Sequence, residues 1–238
     1  MINNIKHIYL KEIRSYFNGP MAYIFLIIFS LVNGYFFSNT FFIFGQSDMR
    51  ALFQIVPLVY LFFIPAITMG IISREKNIGT MEVICTLPIK DYEFVIGKYL
   101  AVLTLLKVAL LLTGIMFINL VFVGTNIDYG AVFTGYLGLF LAGSVYASMG
   151  LFASSLTDNQ VVGFIIAIFF VLVFFLIDKL LIFMPNMIAG TMQYLSIDYH
   201  LSNISKGVLD TRNLVYFLSM ISLFIILTIE SLGSRKWD

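Results

Sequence analysis

The sequence has few charged residues, one cysteine and two histidines, and each scarcity narrows what the chain can be. Only 11% of the 238 residues are charged, 60% are hydrophobic, and the mean hydropathy is +0.97. Such a chain cannot bury its apolar side chains in one soluble core, so we expect the lipid bilayer to solvate it. Because Cys85 is the only cysteine, an internal disulfide and a thiolate metal cluster are excluded.

The sequence also lacks the common motifs of nucleotide chemistry and hydrolysis. Gly97-Lys98 is followed by Tyr99 and has no glycine at the upstream position that a phosphate loop requires. Neither a His-Glu-x-x-His helix nor a Gly-x-Ser-x-Gly turn is present. The two histidines, His7 and His200, are expected on opposite sides of the membrane, and we interpret His200 as an interfacial side chain. The chain is therefore predicted not to be an enzyme and to hold no cofactor or metal.

Long apolar runs predict six membrane-spanning helices. Four charge-free runs are long enough to cross a bilayer, and two shorter runs reach that length if they extend past Asp178 and Glu230. Backbone groups in lipid must be satisfied within each segment, so the spans are predicted to be helices. The fold class is an all-α membrane protein, with residues 1–238 forming a single transmembrane domain. The runs are Ser15–Ser47, Ala51–Ser73, Val108–Ile127, Tyr129–Thr157, Asn159–Ile177 and Asn213–Ile229.

Basic residues indicate the orientation of these spans. With the N-terminus inside, nine lysines and arginines face the cytosol and four face outward, which is the usual bias for cytosolic termini. This topology places a cytosolic loop at about residues 73–98 and an external segment at about 184–212. The net charge of +1 sums over both compartments and gives no sign of a nucleic-acid partner.

Residues 2–17 form an amphipathic pattern ahead of the first span. Ile5, Tyr9 and Tyr16 fall on one side of a helix, and His7 and Lys11 fall on the other. This pattern predicts an interfacial helix on the cytosolic leaflet, either as an anchor with anionic-lipid contacts or as a lever that moves the first span. Gly19-Pro20 is predicted to end it.

The cytosolic loop contains signals for a short helix. Gly79 can end an extension of the second span, Thr80 and Glu82 suit the first turn of a new helix, and Pro88 prevents its continuation. One interpretation is a solvated loop whose charges only separate two apolar spans. The other is a docking element for a partner protein.

Several pieces of sequence resemble the type-2 export permeases of the ATP-binding-cassette (ABC) transporters. The N-terminal stretch Lys11–Phe17 resembles their N-terminal helix, and Asn203–Asp210 resembles the last external segment of the gliding-motility and nitrous-oxide-accessory branch. Four pieces resemble the first cytosolic loop: Arg74-Glu75-Lys76, Gly79-Thr80-Met81-Glu82, Thr86-Leu87-Pro88-Ile89 and Gly97-Lys98-Tyr99-Leu100-Ala101.

The resemblance implies a permease subunit in a bacterial cytoplasmic (inner) membrane. It implies dimerisation with a second copy or a homologous permease, docking of a separate ATPase subunit that binds ATP and Mg²⁺, and an extracytoplasmic auxiliary protein as a further partner. The implied function is export driven by ATP hydrolysis in that subunit. The loop residues that it assigns to ATPase coupling are Arg74, Glu75, Gly79, Thr80, Met81, Glu82, Thr86 and Pro88.

Two other functions stay open at this point. A permease-like subunit that transmits force or a signal to an external partner, without moving a solute, needs the same loop. A polytopic membrane enzyme is disfavoured by the missing motifs.

Two features inside the bilayer are also open to two interpretations. Lys107 either snorkels to the cytosolic headgroups or pairs within the bundle. The glycine-rich fourth span, which includes Gly135, Gly143 and Gly150, either allows close helix packing or lines a substrate groove.

Overall fold

The computed structural model describes residues 2–44, 49–86, 88–124, 127–181 and 186–234. The described residues form helices, with short turns and extended residues between them and no strand. The prediction of an all-α fold is confirmed. The helices are α1 Ile2–Asn18, α2 Met21–Phe44, α3 Arg50–Thr68, α4 Ser73–Ile78, α5 Thr80–Thr86, α6 Asp91–Val123, α7 Tyr129–Leu156, α8 Gln160–Leu180, α9 Asn186–Gln193, α10 Ile197–Ile204 and α11 Thr211–Gly233.

Local sequence signals explain where these helices begin. Asp128, Asn159 and Asp210 each precede a helix, and each side chain accepts a hydrogen bond from a backbone N–H in the first turn. At the start of α6, the Glu93 carboxylate accepts the backbone N–H of Lys90 at 3.1 Å. The break between α1 and α2 falls at Gly19-Pro20, as the sequence predicts.

Six helices within the described ranges are long and apolar enough to span a membrane. They are α2, the combined α3 and α4 region, α6, α7, α8 and α11. Helices α8 and α11 run past Asp178 and Glu230, so both shorter apolar runs reach spanning length as expected. The prediction of six spans is confirmed.

Helix α7 is the centre of the bundle and packs against α3, α6, α8, α10 and α11. Its small residues allow this close packing. A Cβ atom added at Gly135 would lie 2.1 Å from Phe53, and one at Gly150 would lie 2.0 Å from the Thr68 hydroxyl. The glycines of the fourth span therefore serve contacts within the subunit, which favours the packing interpretation.

Helix α1 packs its apolar face on α6 rather than on lipid alone. Ile8 is buried against Gly97, where an added Cβ would approach the Ile8 side chain to 2.9 Å. The Tyr9 and Thr104 hydroxyls are hydrogen-bonded at 3.0 Å. Lys107 lies one turn beyond Thr104 on α6 and is exposed, with no ion pair among the described residues. This position, close to the level of α1, favours the snorkelling interpretation.

His200, which the sequence predicts to be an interfacial side chain, is buried among aromatic rings of the α10–α11 contact. It is 3% exposed, and its ring stacks on Tyr216 with centroids 4.0 Å apart. Its Nδ1 lies 2.7 Å from the Asn213 side-chain oxygen, and its Nε2 donates to the Tyr194 carbonyl at 3.0 Å. The aromatic residues of α10 and α11 cover this imidazole, so it fixes the packing of the two helices.

Candidate functional site: the loop between the second and third spans

The helix of the second span is interrupted by a turn at residues 69–72, between α3 and α4, and one hydroxyl stabilises this turn. Ser154 of α7 accepts the backbone N–H groups of Ile72 and Ser73 at 3.1 and 3.0 Å and donates to the Met69 carbonyl at 2.8 Å. Lys76 of α4 also donates to the Ser155 carbonyl. These hydrogen bonds satisfy backbone N–H and C=O groups that have no partner within the helix where it is interrupted. They also fasten the start of the loop to the central helix.

Helices α4 and α5 meet at a sharp turn that needs glycine. Gly79 has φ +76°, a left-handed conformation that ends α4 as a helix cap. The Thr80 hydroxyl donates to the Glu75 carbonyl at 3.2 Å across this turn. Helix α5 then runs to Thr86, so the predicted short helix has the expected bounds.

A buried lysine joins the loop to two other helices. Lys98 of α6 is 1% exposed, and its ammonium group lies 2.8 Å from Glu12 of α1 and 2.9 Å from Glu75 of α4. The contact with Glu12 is a hydrogen bond, and the Glu75 oxygen at 2.9 Å pairs by charge. Lys98 also donates to the Ile71 carbonyl at 2.8 Å.

Lys11 completes what we call the Lys98 ion cluster: Lys11, Glu12, Glu75 and Lys98. Lys11 donates to Glu75 at 2.7 Å and lies 4.0 Å from Glu12. Partial burial opposes the charged form of Lys11, but its hydrogen bond to Glu75 and the two carboxylates outweigh that effect and raise its pKa. Two cations thus balance two carboxylates, which allows Lys98 to stay charged while it is buried.

The coupling residues implied by the resemblance divide into an inward set and an outward set. Glu75 points inward to the ion cluster, and Met81 is half-buried against the core. The others whose side chains are described are exposed, as is Ile78 of the same loop, which is 61% exposed. The Thr86 side chain lies outside the described part of the chain. The exposed residues are Arg74, Gly79, Thr80, Glu82 and Pro88.

Several residues of this site do not figure among the coupling residues inferred from the sequence, and they include Lys11, Glu12, Lys98 and Ser154. The sequence does contain a signal that Glu12 is not fully solvated. Glu12 lies four residues from both Ile8 and Tyr16, so it is on the face of α1 that packs against the bundle. The sequence around Lys98 looks like an ordinary charged loop. The burial of Lys98 depends on its packing against other helices. Ser154 is one of two adjacent serines, and no periodic pattern in the sequence distinguishes it from its neighbour.

The described residues contain no group of three or more His, Cys, Asp and Glu side chains that could hold a metal ion. The carboxylates of the ion cluster are engaged in salt bridges that join α1, α4 and α6.

Comparison with known families assigns the chain. The family model described as ABC-2 family transporter protein matches residues 7–237. The chain belongs to this family. A comparison with curated individual proteins gives no match. Proteins of the ABC-2 family are generally the non-catalytic membrane component of an ABC transporter, and they typically work with an ABC ATPase and often dimerise.

Proposed function

We propose that this ABC-2 family protein is the permease subunit of an exporter, and that it couples ATP hydrolysis in a separate ATPase subunit to the export of a substrate. The observation that carries the proposal is the position of Glu75. This residue belongs to the loop, yet it pairs with Lys98 of α6 and Lys11 of α1. A movement of the loop is thereby passed to α1 and α6.

The outward residues supply the docking surface in this proposal. Arg74, Glu82 and Ile78 are exposed at the tip of the loop, where a partner can reach them without unfolding the bundle. The α4–α5 segment is short, and Ser154 holds its start through the backbone N–H groups of Ile72 and Ser73. A partner that shifts this tip moves the helices behind it instead of only bending a loose loop.

The rest of the proposal concerns the assembly and its location. Two permease copies, or this chain and a homologous permease, bind two ATPase subunits on the cytosolic side of a bacterial inner membrane, with both termini cytosolic. The basic-residue asymmetry supports this orientation. The likeness of Asn203–Asp210 to the gliding-motility and nitrous-oxide-accessory branch supports an extracytoplasmic auxiliary protein as a further partner.

Charge reversal at the loop tip tests the docking surface. Glu82→Arg is compared with Asp158→Arg, which changes an equally exposed carboxylate in the turn between α7 and α8 at the same end of the bundle. Each tagged variant is purified from its native membrane, and the co-purified ABC ATPase is quantified by mass spectrometry. Glu82→Arg should lower the ATPase yield at least tenfold, since loss of a buried interfacial charge pair costs about 2 kcal/mol or more. The Asp158 variant should retain the ATPase.

A reconstituted system tests export itself. The complex is placed in proteoliposomes, and ATP-dependent loss of substrate from the ATPase-exposed side is measured for a panel of lipid, peptide and glycan candidates. ATP hydrolysis with directional movement of one class supports the exporter. ATP hydrolysis that changes the conformation of the chain without moving any class would contradict it. An equal ATPase yield in both charge-reversal variants would move the docking surface away from α5.

A further inference from the structure

Two polar side chains in the membrane-spanning helices α2 and α3 are buried without a hydrogen-bond partner. The Tyr60 hydroxyl of α3 and the Asn33 side-chain oxygen of α2 have no partner among the described residues, and the two residues are 0% and 1% exposed. A buried polar atom without a partner is costly, and more so inside a bilayer, where water does not replace the missing bond. Both atoms therefore require an explanation beyond the packing seen in this structure.

The two groups belong to one contact between α2 and α3. The Phe29 ring stacks on the Tyr60 ring with centroids 5.8 Å apart, and the Phe29 carbonyl accepts a hydrogen bond from the Asn33 side-chain amide at 2.7 Å. The Phe25 and Phe63 rings also meet, at 5.5 Å, so the two helices run antiparallel with Tyr60 level with Phe29. Asn33 follows Phe29 by four residues, about 6 Å along α2. Tyr60 and Asn33 are thus about one helical turn apart along this contact.

The missing partners of these two atoms are complementary. A tyrosine hydroxyl has a proton to donate, and a carboxamide oxygen can only accept. The amide nitrogen of Asn33 is already bonded to the Phe29 carbonyl, so the oxygen is the end of the side chain that still needs a partner. Packed helices can shift past one another by as much as one turn in a conformational change. A shift of that size would bring the donor of α3 to the acceptor of α2.

We propose that the Tyr60 hydroxyl donates a hydrogen bond to the Asn33 oxygen in a second state of the subunit, in which α3 is displaced along α2. Because the helices are antiparallel, the displacement carries Tyr60 away from the α4–α5 loop. The inference rests on the proposed function, since movement of that loop is what displaces α3. Both atoms lack a partner in this structure and gain one in the second state, so the pair favours the displaced state.

Thermal unfolding of the purified full chain tests the state seen in this structure. Tyr60→Phe removes a hydroxyl that has no partner, so the midpoint should equal or exceed that of the wild type. Tyr99→Phe is the matched control, because the hydroxyl of this buried tyrosine donates to the Ser144 carbonyl at 3.0 Å. The control should lower the midpoint by about 2 to 4 °C. A lowered midpoint in Tyr60→Phe would overturn the proposal, since it would show that the hydroxyl has a partner, such as a bound water, in this state.

ATP hydrolysis by the complex with its ATPase, in proteoliposomes, tests the second state. Tyr60→Phe and Asn33→Leu should each lower the rate about threefold to tenfold, the effect of losing one interhelical hydrogen bond. The double variant should be no slower than either single variant, because both changes remove the same bond. Ser30→Ala is the control on α2, since its hydroxyl is also buried without a partner in the described ranges. Its effect on the rate should simply multiply with that of Tyr60→Phe.

Three results of this cycle would overturn the pairing. They are wild-type rates in both single variants, multiplied losses in the Tyr60–Asn33 double variant, and coupling of Tyr60→Phe to Ser30→Ala in place of Asn33→Leu. The proposed function fails by a different result, which is a wild-type chain that co-purifies with no ATPase. A wild-type complex that hydrolyses ATP at the same rate as its variants leaves the proposed function standing and ends this inference alone.

Discussion

Replacement of Lys98 by methionine should destabilise the subunit strongly. The substitution keeps an unbranched side chain of similar length but removes the charge that lies between Glu12 and Glu75. Two carboxylates then face each other in a region where Lys98 was 1% exposed, and the Ile71 carbonyl loses its side-chain donor. Removal of one partner from a buried ion pair typically costs about 3 to 5 kcal/mol.

Lys11 reduces this cost in part. It stays within 2.7 Å of Glu75, but its side chain is 62% exposed, so solvent screening limits its contribution to about 1 kcal/mol. The net loss is then about 2 to 4 kcal/mol. By the scaling for soluble domains of this length, the midpoint of thermal unfolding should fall by about 5 to 15 °C.

The assay is thermal unfolding of the purified chain in one detergent at one protein concentration. Lys107→Met makes the same substitution on the same helix, at an exposed lysine without an ion pair in the described ranges, and should change the midpoint little. Adding Glu12→Gln and Glu75→Gln to Lys98→Met removes the unbalanced charges and should recover most of the stability. A single Lys98 variant as stable as the Lys107 control, or a triple variant that recovers nothing, would refute the assignment of the ion cluster.

Three further predictions follow from packing and topology. Gly150→Ala should lower the unfolding free energy by about 1 to 3 kcal/mol, because the added methyl group overpacks α7. Gly114→Ala is the control and should be neutral, since its added Cβ meets no atom within 4 Å. Equal midpoints of thermal unfolding for the two variants would contradict the packing role of Gly150. Lys107→Leu should leave membrane insertion and ATPase-coupled activity intact if the lysine snorkels, and impaired activity would reveal a partner in the bundle. A membrane-impermeant thiol reagent should label native Cys85 only from the cytosol. The same reagent should label Val208→Cys, in a Cys85→Ser background, only from outside. Labelling of both positions from one side would contradict the six-span topology.

The helical skeleton was accessible from the sequence because its determinants are local. Run length, the scarcity of charge, and signals such as Gly19-Pro20 and Gly79 act within one segment, and the structure places helix ends where they indicate. The turn at residues 69–72 was not predicted, because the hydroxyl that stabilises it belongs to Ser154, about eighty residues further along the chain.

The site was only partly predictable for the same reason. The exposed tip of the loop carries its own signals in Thr80, Glu82 and Pro88, so its helix could be located. The ion cluster depends on contacts between residues about 60 to 90 positions apart, as the Lys11–Glu75 and Lys98–Glu12 pairs show. From the sequence alone, each of these charged side chains is expected to be exposed to water. Only the packing of α1 on α6 shows that Lys98 is buried.

Helix α3 runs from the opposite end of the bundle to the loop. Its first turns line a cavity through Arg50, Phe53 and Leu58, and its last residue directly precedes the turn that Ser154 stabilises. Most of the helix is buried against its neighbours, so it transmits displacement along its axis better than it absorbs it. Pro57 and Pro65 each remove one internal hydrogen bond, and they are the points at which α3 can bend. In the proposed coupling, a shift of α4 is therefore passed along α3, and bending at the two prolines determines how much of the shift reaches its first turns.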